Sequence, residues 1–484
     1  MSAYRRRWLG FALLVVSLPF LLPQLIPCTD LPQHLAQIRL MDELWGLSPK
    51  TLDLSPFTMR PWAANTLVYW PLFLLCHLLP RLFAGKALVW LIVAGSAAAL
   101  QHLAAVRDRS PAHALMGTIF LFSAPLYWGF LNFLLGLPLW LWFLARALRA
   151  RDREQPSWRA DLADAALVCA LYGAHIFWVL AAGVATALFE LEDFDLRRTL
   201  RRTVVFLPIL VPIAIWYPRM VAGRRAAHFM LGPIWDYASL TPLGGVRGPL
   251  EPFAFGLFAA YVLVVLWTAR AAIAETLDRS LMRLGTLILL FVMLAPYRYM
   301  NTVAFNSRFF PLAVMLLLLC LPTSASVWPA RLAAAGVALF MLGTASIWWR
   351  FDRDDLSGLR QSLALDAGGK SVLGLDYDRH QPHRRLAVPP YWQTVAYLQA
   401  LRGGDLGFSF AEHDSSLVVY RQPRPMRWSL DVTYNGWTHL VTAHDLSFFD
   451  CALVDGSEAD HASFRAVSGW STPQSGSYFR LYCR

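Results

Sequence analysis

Asp30 and His34 offer a carboxylate and an imidazole close together in the chain. They stand four positions apart, which puts them on one face of a helix if that helix begins at Pro32. In that arrangement the carboxylate can act as a general base, while the imidazole orients it or contacts an anionic group. The alternative is structural, because Thr29 or Asp30 would also cap the helix, and Pro32 suits its first turn.

A second set of polar side chains is predicted to lie on the same side of a membrane as Asp30, at the outer ends of apolar segments. The set comprises Asn132, His175, Asp236, Arg298 and Arg308, with Arg224 and Arg225 in a long polar loop. Arg308 begins an apolar segment, where a guanidinium is costly unless it meets an anion or snorkels to the interface. His175 either joins such a site or is satisfied inside the helix bundle. A carboxylate, histidines and arginines at one face favour a cavity for an anionic lipid headgroup.

The elements that would carry these residues are membrane helices. The chain has 484 residues, of which 57% are hydrophobic and 15% charged, against about 25% charged in a typical soluble domain. Several apolar runs reach the roughly 20 residues that span a bilayer. The net charge of +11 comes mostly from arginines in short loops between these runs, which is typical of cytoplasmic loops and does not favour nucleic-acid binding. The sequence therefore predicts an α-helical polytopic membrane protein.

Arginine positions orient the helices. Three arginines at positions 5–7 precede the first apolar segment, residues 8–26, and place the N-terminus in the cytoplasm. Asp30 therefore emerges on the outer side. The segment lacks the small-residue cleavage site of a signal peptide, so it is predicted to be retained as a membrane helix.

Apolar runs within residues 1–349 predict a transmembrane domain of about eleven spans. Long outer loops are expected at residues 28–85 and 217–252. Residues 61–79 are apolar but interrupted by Pro71, and they are predicted to lie in the outer interface rather than to span. This choice places every strongly basic short loop in the cytoplasm.

The composition changes after Trp349. Residues 350–484 contain no spanning run and are predicted to form a small periplasmic α/β domain. Short strands are predicted at residues 372–375, 408–410, 417–420, 448–454 and 478–482, with a helix at residues 394–401 that is stopped by Gly403 and Gly404. Cys451 and Cys483 could form a disulfide in an oxidising periplasm, or remain thiols in or near neighbouring strands.

Familiar phosphate and metal motifs are missing from the sequence. It contains no glycine-rich phosphate loop, no Cys-x-x-Cys pair and no His-Glu-x-x-His helix. His380 and His383, with Asp376 and Asp378, could bind a metal in the outer domain or belong to a solvated loop. No metal ligand is assigned from the sequence.

This organisation resembles the GT-C superfamily, the integral-membrane glycosyltransferases that use polyprenyl-phosphate-linked sugars. The resemblance covers residues 1 to about 349: a first helix, a long outer loop that opens with Thr29-Asp30-Leu31-Pro32-Gln33-His34, interfacial segments and short hairpins. Asn306-Ser307-Arg308-Phe309, at the start of a late outer-to-inner span, fits the same pattern. An outer soluble C-terminal domain is also common in that superfamily.

The resemblance implies roles for particular residues. In such enzymes the first-loop acid acts as general base on the acceptor or helps to bind a metal, and basic groups hold the lipid phosphate. Asp30 is the position that carries over, with His34 beside it. Many members have a second acid at the turn between helices three and four, where this chain has Asn132. The cofactor is left open, with a divalent cation, Mg²⁺ or Mn²⁺, as one alternative.

The resemblance also implies a reaction. A sugar would move from a polyprenyl-phosphate-linked donor to an acceptor of unspecified class at the outer face of a bacterial inner membrane. Arg308, Arg298 and Arg224 or Arg225 would stabilise the leaving phosphate. The alternatives are a non-catalytic membrane assembly or scaffold protein, and a transporter of lipid or polysaccharide. The apolar segments are nearly free of Asp, Glu and Lys, which does not favour a transporter.

The predicted topology can be tested with reporter fusions. A reporter that works only in the periplasm should be active when fused after Arg484, because the basic short loops then all face inward. A fusion after Arg202, in a predicted cytoplasmic loop, is the matched control and should be inactive. Activity of a cytoplasm-only reporter after Arg484 would contradict the orientation and, with it, the outer position of Asp30.

Overall fold

In a computed structural model of the protein, the described part of the chain is mostly helical, with a small mixed sheet near the C-terminus. The structure describes residues 2–151, 157–192, 194–222, 243–245, 248–299, 302–365, 368–378, 386, 388–413, 416–433 and 438–484. Two compact units divide the chain. The first comprises Met1–Leu21, Val89–Leu126 and Asn132–Ala345, and the second comprises Leu22–Leu88, Tyr127–Leu131 and Ser346–Arg484. The second unit therefore combines the loop after the first helix with the C-terminal residues.

Most of the helices form where the sequence is apolar, whereas α10 is strongly basic. They are α1 (Ala3–Leu21), α2 (Leu31–Leu44), α3 (Tyr69–Leu78), α4 (Arg81–Val106), α5 (Pro111–Gly117), α6 (Ala124–Trp128), α7 (Leu131–Arg151), α8 (Trp158–Ala174), α9 (Ile176–Glu192), α10 (Leu196–Val204), α11 (Leu207–Ala222), α12 (Leu250–Thr268), α13 (Ile273–Thr276), α14 (Arg279–Leu294), α15 (Phe310–Cys320) and α16 (Trp328–Arg350). Polar caps mark several starts: Ser110, Asp195 and Asp278 each accept a backbone N–H at the beginning of α5, α10 and α14.

Helix length decides which of these elements could cross a membrane. Four described helices are long and apolar enough: Arg81–Val106, Leu131–Ala150, Leu250–Thr268 and Trp328–Asp355. Helices α8 and α9 have 17 residues each, a rise of about 26 Å against a hydrocarbon core of about 30 Å. The chain is a multi-span membrane protein by these criteria, whereas the count of about eleven spans stays a prediction.

Two N-terminal helices differ in length from the sequence expectation. The first helix covers Ala3–Leu21 rather than residues 8–26, because Pro23 cannot continue it. The segment at residues 61–79 is helical only over Tyr69–Leu78, which has 10 residues and rises about 15 Å, half the thickness of a bilayer core. Its position in the outer interface stays a prediction.

Ion pairs join polar helix ends in the first unit. Asp278 accepts the backbone N–H of Leu281 at 3.0 Å and lies 2.7 Å from Nε of Arg107. Asp164 of α8 pairs with Arg146 of α7. Both arginines belong to segments predicted to face the cytoplasm. Their positive charges compensate the buried carboxylates of Asp278 and Asp164.

A four-stranded mixed sheet is the core of the C-terminal part of the second unit. The six strands that the structure describes are β1 (Phe57–Met59), β2 (Ser371–Asp376), β3 (Asp405–Leu406), β4 (Val418–Tyr420), β5 (Cys451–Asp455) and β6 (Phe479–Cys483). The accompanying helices are α17 (Leu359–Ala364), α18 (Ala396–Arg402), α19 (Leu430–Thr433), α20 (Ala443–Leu446) and α21 (Glu458–Ser468). Four of the strands form the sheet. The order is β3-β2-β5-β6, with β2 parallel to β3 and β5, and β6 antiparallel to β5. Leu373, Leu375, Ala452 and Val454 pack with Phe464 of α21. Strand β5 is buried along its whole length, as expected for a strand covered on both faces.

The structure contradicts one of the predicted strands and confirms another. Residues 408–410 do not form a strand, because Ser409 and Glu412 build a capping box that starts a helical turn. The strand lies just before, at β3. The predicted strand at residues 417–420 is present as β4, but it pairs with β1 of the first outer loop in a separate antiparallel ribbon.

Helix α2 is buried in the second unit, and C-terminal backbone groups donate to the side-chain oxygens of two of its glutamines. Oε1 of Gln33 accepts the N–H of Phe410 at 3.0 Å, and Oε1 of Gln37 accepts the N–H of Val418 at 2.8 Å. Both glutamines are at most 1% exposed, so these bonds replace the water that a polar loop would otherwise bind. The first outer loop therefore folds together with the C-terminal residues.

Cys451 and Cys483 form a disulfide. The two residues face each other across the antiparallel strands β5 and β6. Of the two alternatives that the sequence left open, the structure selects the cross-link. It closes a segment of 32 positions, which restricts the unfolded chain and stabilises the folded one.

Glu412 is an acid whose environment disfavours its charge. Oε1 accepts the N–H of Ser409 at 3.3 Å and lies 3.5 Å from Nη1 of Arg424. Burial raises the pKa of Glu412 to about 7, although Arg424 opposes this effect. The carboxyl group therefore changes its protonation near neutral pH.

Glu412→Gln should change how stability depends on pH. The pKa of Glu412 is raised from 4.5 to about 7 on folding, so its stabilising contribution is complete below pH 4.5 and is lost as the pH rises to 7. Thermal melts across this window should fall more steeply for the wild type than for E412Q. Glu458→Gln is the matched control, because Arg480 lowers the pKa of Glu458. Equal slopes for E412Q and the wild type would contradict the burial argument.

Candidate functional site

Asp30 stands at the N-cap position of α2, with Pro32 in the first turn. Within the described part of the chain, however, its carboxylate makes no capping hydrogen bond to α2. The hydroxyl of Thr29 donates to the carbonyl of Pro389 at 2.9 Å. The prediction that Thr29 or Asp30 caps the helix through its side chain is therefore wrong, and α2 does not use the carboxylate.

The turn Tyr127–Leu131 holds the backbone of Asp30. The N–H of Thr29 donates to the first carbonyl of the turn at 2.9 Å, and the N–H of Asp30 donates to the second at 3.0 Å. Gly129 follows with a φ of +80°. A Cβ at this position would stand 2.8 Å from the nitrogen of Asp30, so the approach requires glycine.

His34 is buried beside this turn, with 3% of its surface exposed. Its Nδ1 lies 3.2 Å from the hydroxyl oxygen of Tyr69, and the backbone of Gly129 is close enough to favour the protonated ring. Burial lowers the pKa of His34 to about 4, so the ring is neutral at physiological pH. The ring supports the turn beside Asp30, and its predicted contact with a substrate phosphate stays a prediction.

Arg308 lines a narrow apolar cavity in the first unit. The residue is 9% exposed, which disfavours the alternative of an anchor in open solvent. Its Nη2 donates to the carbonyl of Val303 at 2.8 Å. The walls include Ile92, Leu121, Phe133, Trp178 and Pro311. A cation among apolar walls suits an anion that is attached to an apolar chain, because both parts of such a ligand gain contacts.

His175 lies at the break between α8 and α9, where the backbone is extended. Its Nδ1 accepts the N–H of Phe177 at 3.3 Å, and its ring packs edge-on against Phe133 with centroids 5.7 Å apart. This hydrogen bond agrees with the alternative of a histidine satisfied inside the bundle. Phe133 also lines the cavity of Arg308, so His175 and Arg308 share a neighbour in the first unit.

The remaining predicted site residues differ in their burial and in whether the structure describes them. Asn132 lies at the start of α7, and among the described residues its Oδ1 is buried without a hydrogen-bond partner. Arg298 is exposed. Asp236, Arg224 and Arg225 lie outside the described residues.

The candidate residues fall into two groups. Asp30 and His34 belong to the second unit, and Asn132, His175 and Arg308 belong to the first. The sequence predicts that Arg308 lies close to Asp30, to His175 or to both. Arg308 and Asp30 belong to different units, so their proximity stays a prediction.

Sequence reasoning missed Gly129 and Tyr69 as neighbours of the Asp30 segment. Both are distant from Asp30 in sequence, and a single sequence does not show which glycine needs a positive φ. A glycine directly after the aromatic pair Tyr127-Trp128 is the one local signal of a tight, packed turn.

A divalent cation as cofactor stays a prediction. Within the described ranges, no group of three or more His, Cys, Asp or Glu is arranged to hold a metal ion. Asp376 and Asp455 face each other at the ends of β2 and β5. Burial, reinforced by Asp376, raises the pKa of Asp455 well above its usual range. His380 and His383, the other candidate ligands, lie outside the described residues.

Solved structures share this fold. The chain matches the crystal structure of ArnT from Cupriavidus metallidurans bound to undecaprenyl phosphate with a TM-score of 0.56 and 14% identity, over 99% of this chain and 98% of that one. It matches the cryo-EM structure of the arabinofuranosyltransferase AftD from Mycobacteria with a TM-score of 0.54 and 16% identity, over 100% of this chain but 40% of AftD. The chain thus spans about two fifths of the length of AftD. No protein-family model and no curated protein matches it.

These matches confirm the predicted resemblance to GT-C glycosyltransferases at the level of the fold. The sequence resemblance ended near residue 349, whereas the structural match continues through the C-terminal residues. At 14% and 16% identity, the likeness does not carry over the role of any residue.

Proposed function

We propose that this protein is a membrane glycosyltransferase that moves a sugar from a polyprenyl-phosphate-linked donor to an acceptor at the outer face of the bacterial inner membrane. The fold that it shares with ArnT over 99% of the chain carries the proposal, since that structure holds undecaprenyl phosphate. The buried guanidinium of Arg308 among apolar walls supports a lipid phosphate on separate, chemical grounds.

Asp30 is the proposed general base. In an inverting transfer, its carboxylate takes the proton of an acceptor hydroxyl while that oxygen bonds to the anomeric carbon of the sugar. The bond from the anomeric carbon to the phosphate oxygen breaks, and the electron pair leaves on the polyprenyl phosphate. In the described structure the carboxylate does not cap α2, so this role competes with no helix-end bond.

Arg308 is the proposed partner of the leaving phosphate. A guanidinium matches the geometry of phosphate oxygens, and its attraction to the developing charge is stronger among apolar walls than in water. His175 and Asn132 are proposed to contact the same headgroup. Asp236, Arg298, Arg224 and Arg225 are proposed to bind substrate from the outer loops.

The proposal includes an arrangement in the membrane. About eleven spans, a cytoplasmic N-terminus and a periplasmic domain at residues 350–484 would put Asp30 on the donor side of the membrane. A divalent cation is left open as a cofactor.

Asp30→Asn should abolish most turnover while the protein remains folded. The change removes the proton acceptor and nearly keeps the shape, so the rate should fall roughly 10²- to 10⁴-fold. The assay measures release of free polyprenyl phosphate from a panel of polyprenyl-phosphate sugars, including arabinofuranose, in nanodiscs with envelope extract as the acceptor source. Thermal melts should change much less than turnover, because Asn is also a good residue at the start of a helix.

Asp53→Asn is the matched control, since Asp53 is an exposed acid of the same outer loop whose carboxylate bonds to Ser55. It should retain full turnover. Wild-type turnover in D30N would end the assignment of the base and favour the assembly-protein alternative.

Arg308→Leu should weaken the binding of undecaprenyl phosphate. Losing hydrogen bonds to a charged group costs about 1.5–3 kcal/mol, which is roughly a 10- to 100-fold rise in Kd. The measurement is a titration of undecaprenyl phosphate into protein in nanodiscs, followed by native mass spectrometry. R308K should lose less, and R331L, at an exposed arginine, should bind as the wild type does. Equal binding by R308L would exclude this cavity as the phosphate site.

A further inference from the structure

We infer that Gly129 and His34 are positioning residues that fix Asp30 for the transfer by holding the turn Tyr127–Leu131 against the start of α2. The inference deepens the proposed function and rests on it, because it takes Asp30 as the base. It gives Gly129 and its neighbour Tyr69 a role that neither the sequence pattern nor the fold comparison indicates.

Backbone hydrogen bonds are the first part of the arrangement that positions Asp30. Asp30 precedes the first residue of α2, so its own N–H has no partner within the helix. The turn supplies one, as it does for Thr29, at 3.0 Å and 2.9 Å. These two bonds set the position of the Asp30 backbone relative to a segment that is about 100 residues away in sequence.

Gly129 is the second part, through close contact. A Cβ there would lie 2.8 Å from the nitrogen of Asp30, 2.9 Å from Sγ of Cys28 and 3.2 Å from Cβ of Asp30. Ordinary contacts are about 3.5–4.0 Å, so a methyl group would push Asp30 away by roughly 1 Å. A misplacement of that size costs about 10²-fold in rate when a reacting group must be aligned.

His34 is the third part, through its ring. The backbone of Gly129 favours the protonated ring, so the imidazole lies beside the turn. Its Nδ1 lies 3.2 Å from the hydroxyl oxygen of Tyr69, the first residue of α3. The imidazole thus lies between the turn and α3.

Neighbouring rings keep this imidazole in place. Tyr69 is 0% exposed, and the ring of Phe410 meets His34 edge-on at 5.3 Å. His34 stands one helical turn after Asp30, and its N–H donates to the Asp30 carbonyl at 3.2 Å. The ring and the backbone of Asp30 therefore belong to one rigid arrangement with Gly129.

The first experiment compares two glycine variants in the donor-cleavage assay. Gly129→Ala should lower kcat roughly 10- to 100-fold, with the KM for the donor changed less than about 3-fold. Gly46→Ala is the matched control: Gly46 also has a positive φ, +72°, but a Cβ there would meet no described atom within 4 Å. Both variants carry the backbone strain, and only G129A displaces Asp30. Equal kcat in G129A and the wild type would overturn the inference.

The second experiment separates the polar contacts of the His34 ring from its packing. The terminal amide of Gln keeps polar groups that can reach the Gly129 backbone and Tyr69, whereas Leu has none. H34L should therefore lose roughly 10- to 100-fold in kcat, and H34Q should recover to within about 5-fold of the wild type. Comparable losses in H34L and H34Q, in proportion to their loss of thermal stability, would mean that His34 serves the fold alone.

A third readout does not depend on activity. Sγ of Cys28 lies close to Gly129 and is buried. Burial and the charge of Asp30 raise the pKa of the Cys28 thiol, so this thiol should react slowly with maleimide. In a chain whose Cys76 and Cys169 are changed to serine, G129A should increase labelling of Cys28 at least 10-fold over G46A. Unchanged labelling would show that the turn does not cover Cys28.

Combining variants distinguishes failure of the inference from failure of the proposed function. If Gly129 acts through Asp30, adding G129A to D30N should lower the residual rate by less than about 3-fold. An inactive D30N beside fully active G129A and H34L overturns the positioning roles and leaves the base assigned. A fully active D30N overturns the proposed function and the positioning roles together, whatever the labelling shows.

Discussion

The buried side-chain oxygens of Gln33 and Gln37 must find hydrogen-bond donors, and the second unit depends on that requirement. An unsatisfied buried acceptor costs about 1–3 kcal/mol, so α2 is stable in its buried position only when the backbone of Phe410 and Val418 is present to bond to it. The helix that begins directly after Asp30 is therefore part of a domain core. This gives the candidate carboxylate a rigid support, although the sequence around it reads as a polar loop.

The position of Asp30 is set by its backbone rather than by a helix cap. In the described structure its side chain makes no cap bond to α2, while its backbone N–H is held by the turn that contains Gly129. A reacting group held in this way is aligned before the substrate arrives. His34 adds a neutral link, because burial lowers its pKa to about 4 and it brings no competing charge.

The first unit shows the complementary arrangement, a cation in an apolar environment. Arg308 lies in a cavity whose other walls are almost entirely apolar. A charge in such a place costs stability unless polar groups compensate it, and the carbonyl of Val303 is one such group at 2.8 Å. Under the proposed function, an anionic headgroup would be another.

Local sequence was enough to predict a helical membrane protein, the approximate positions of its apolar helices, the start of α2 near Pro32 and a small C-terminal α/β region. These follow from hydropathy and from local propensities, which short stretches carry in full. Three features became known only from the described part of the folded chain: the disulfide between Cys451 and Cys483, the absence of a cap bond from the Asp30 side chain to α2, and the close approach of Gly129 to Asp30. Each of these depends on strand register or on a close approach between segments distant in sequence, and such contacts are set by packing of the whole fold rather than by the local chain.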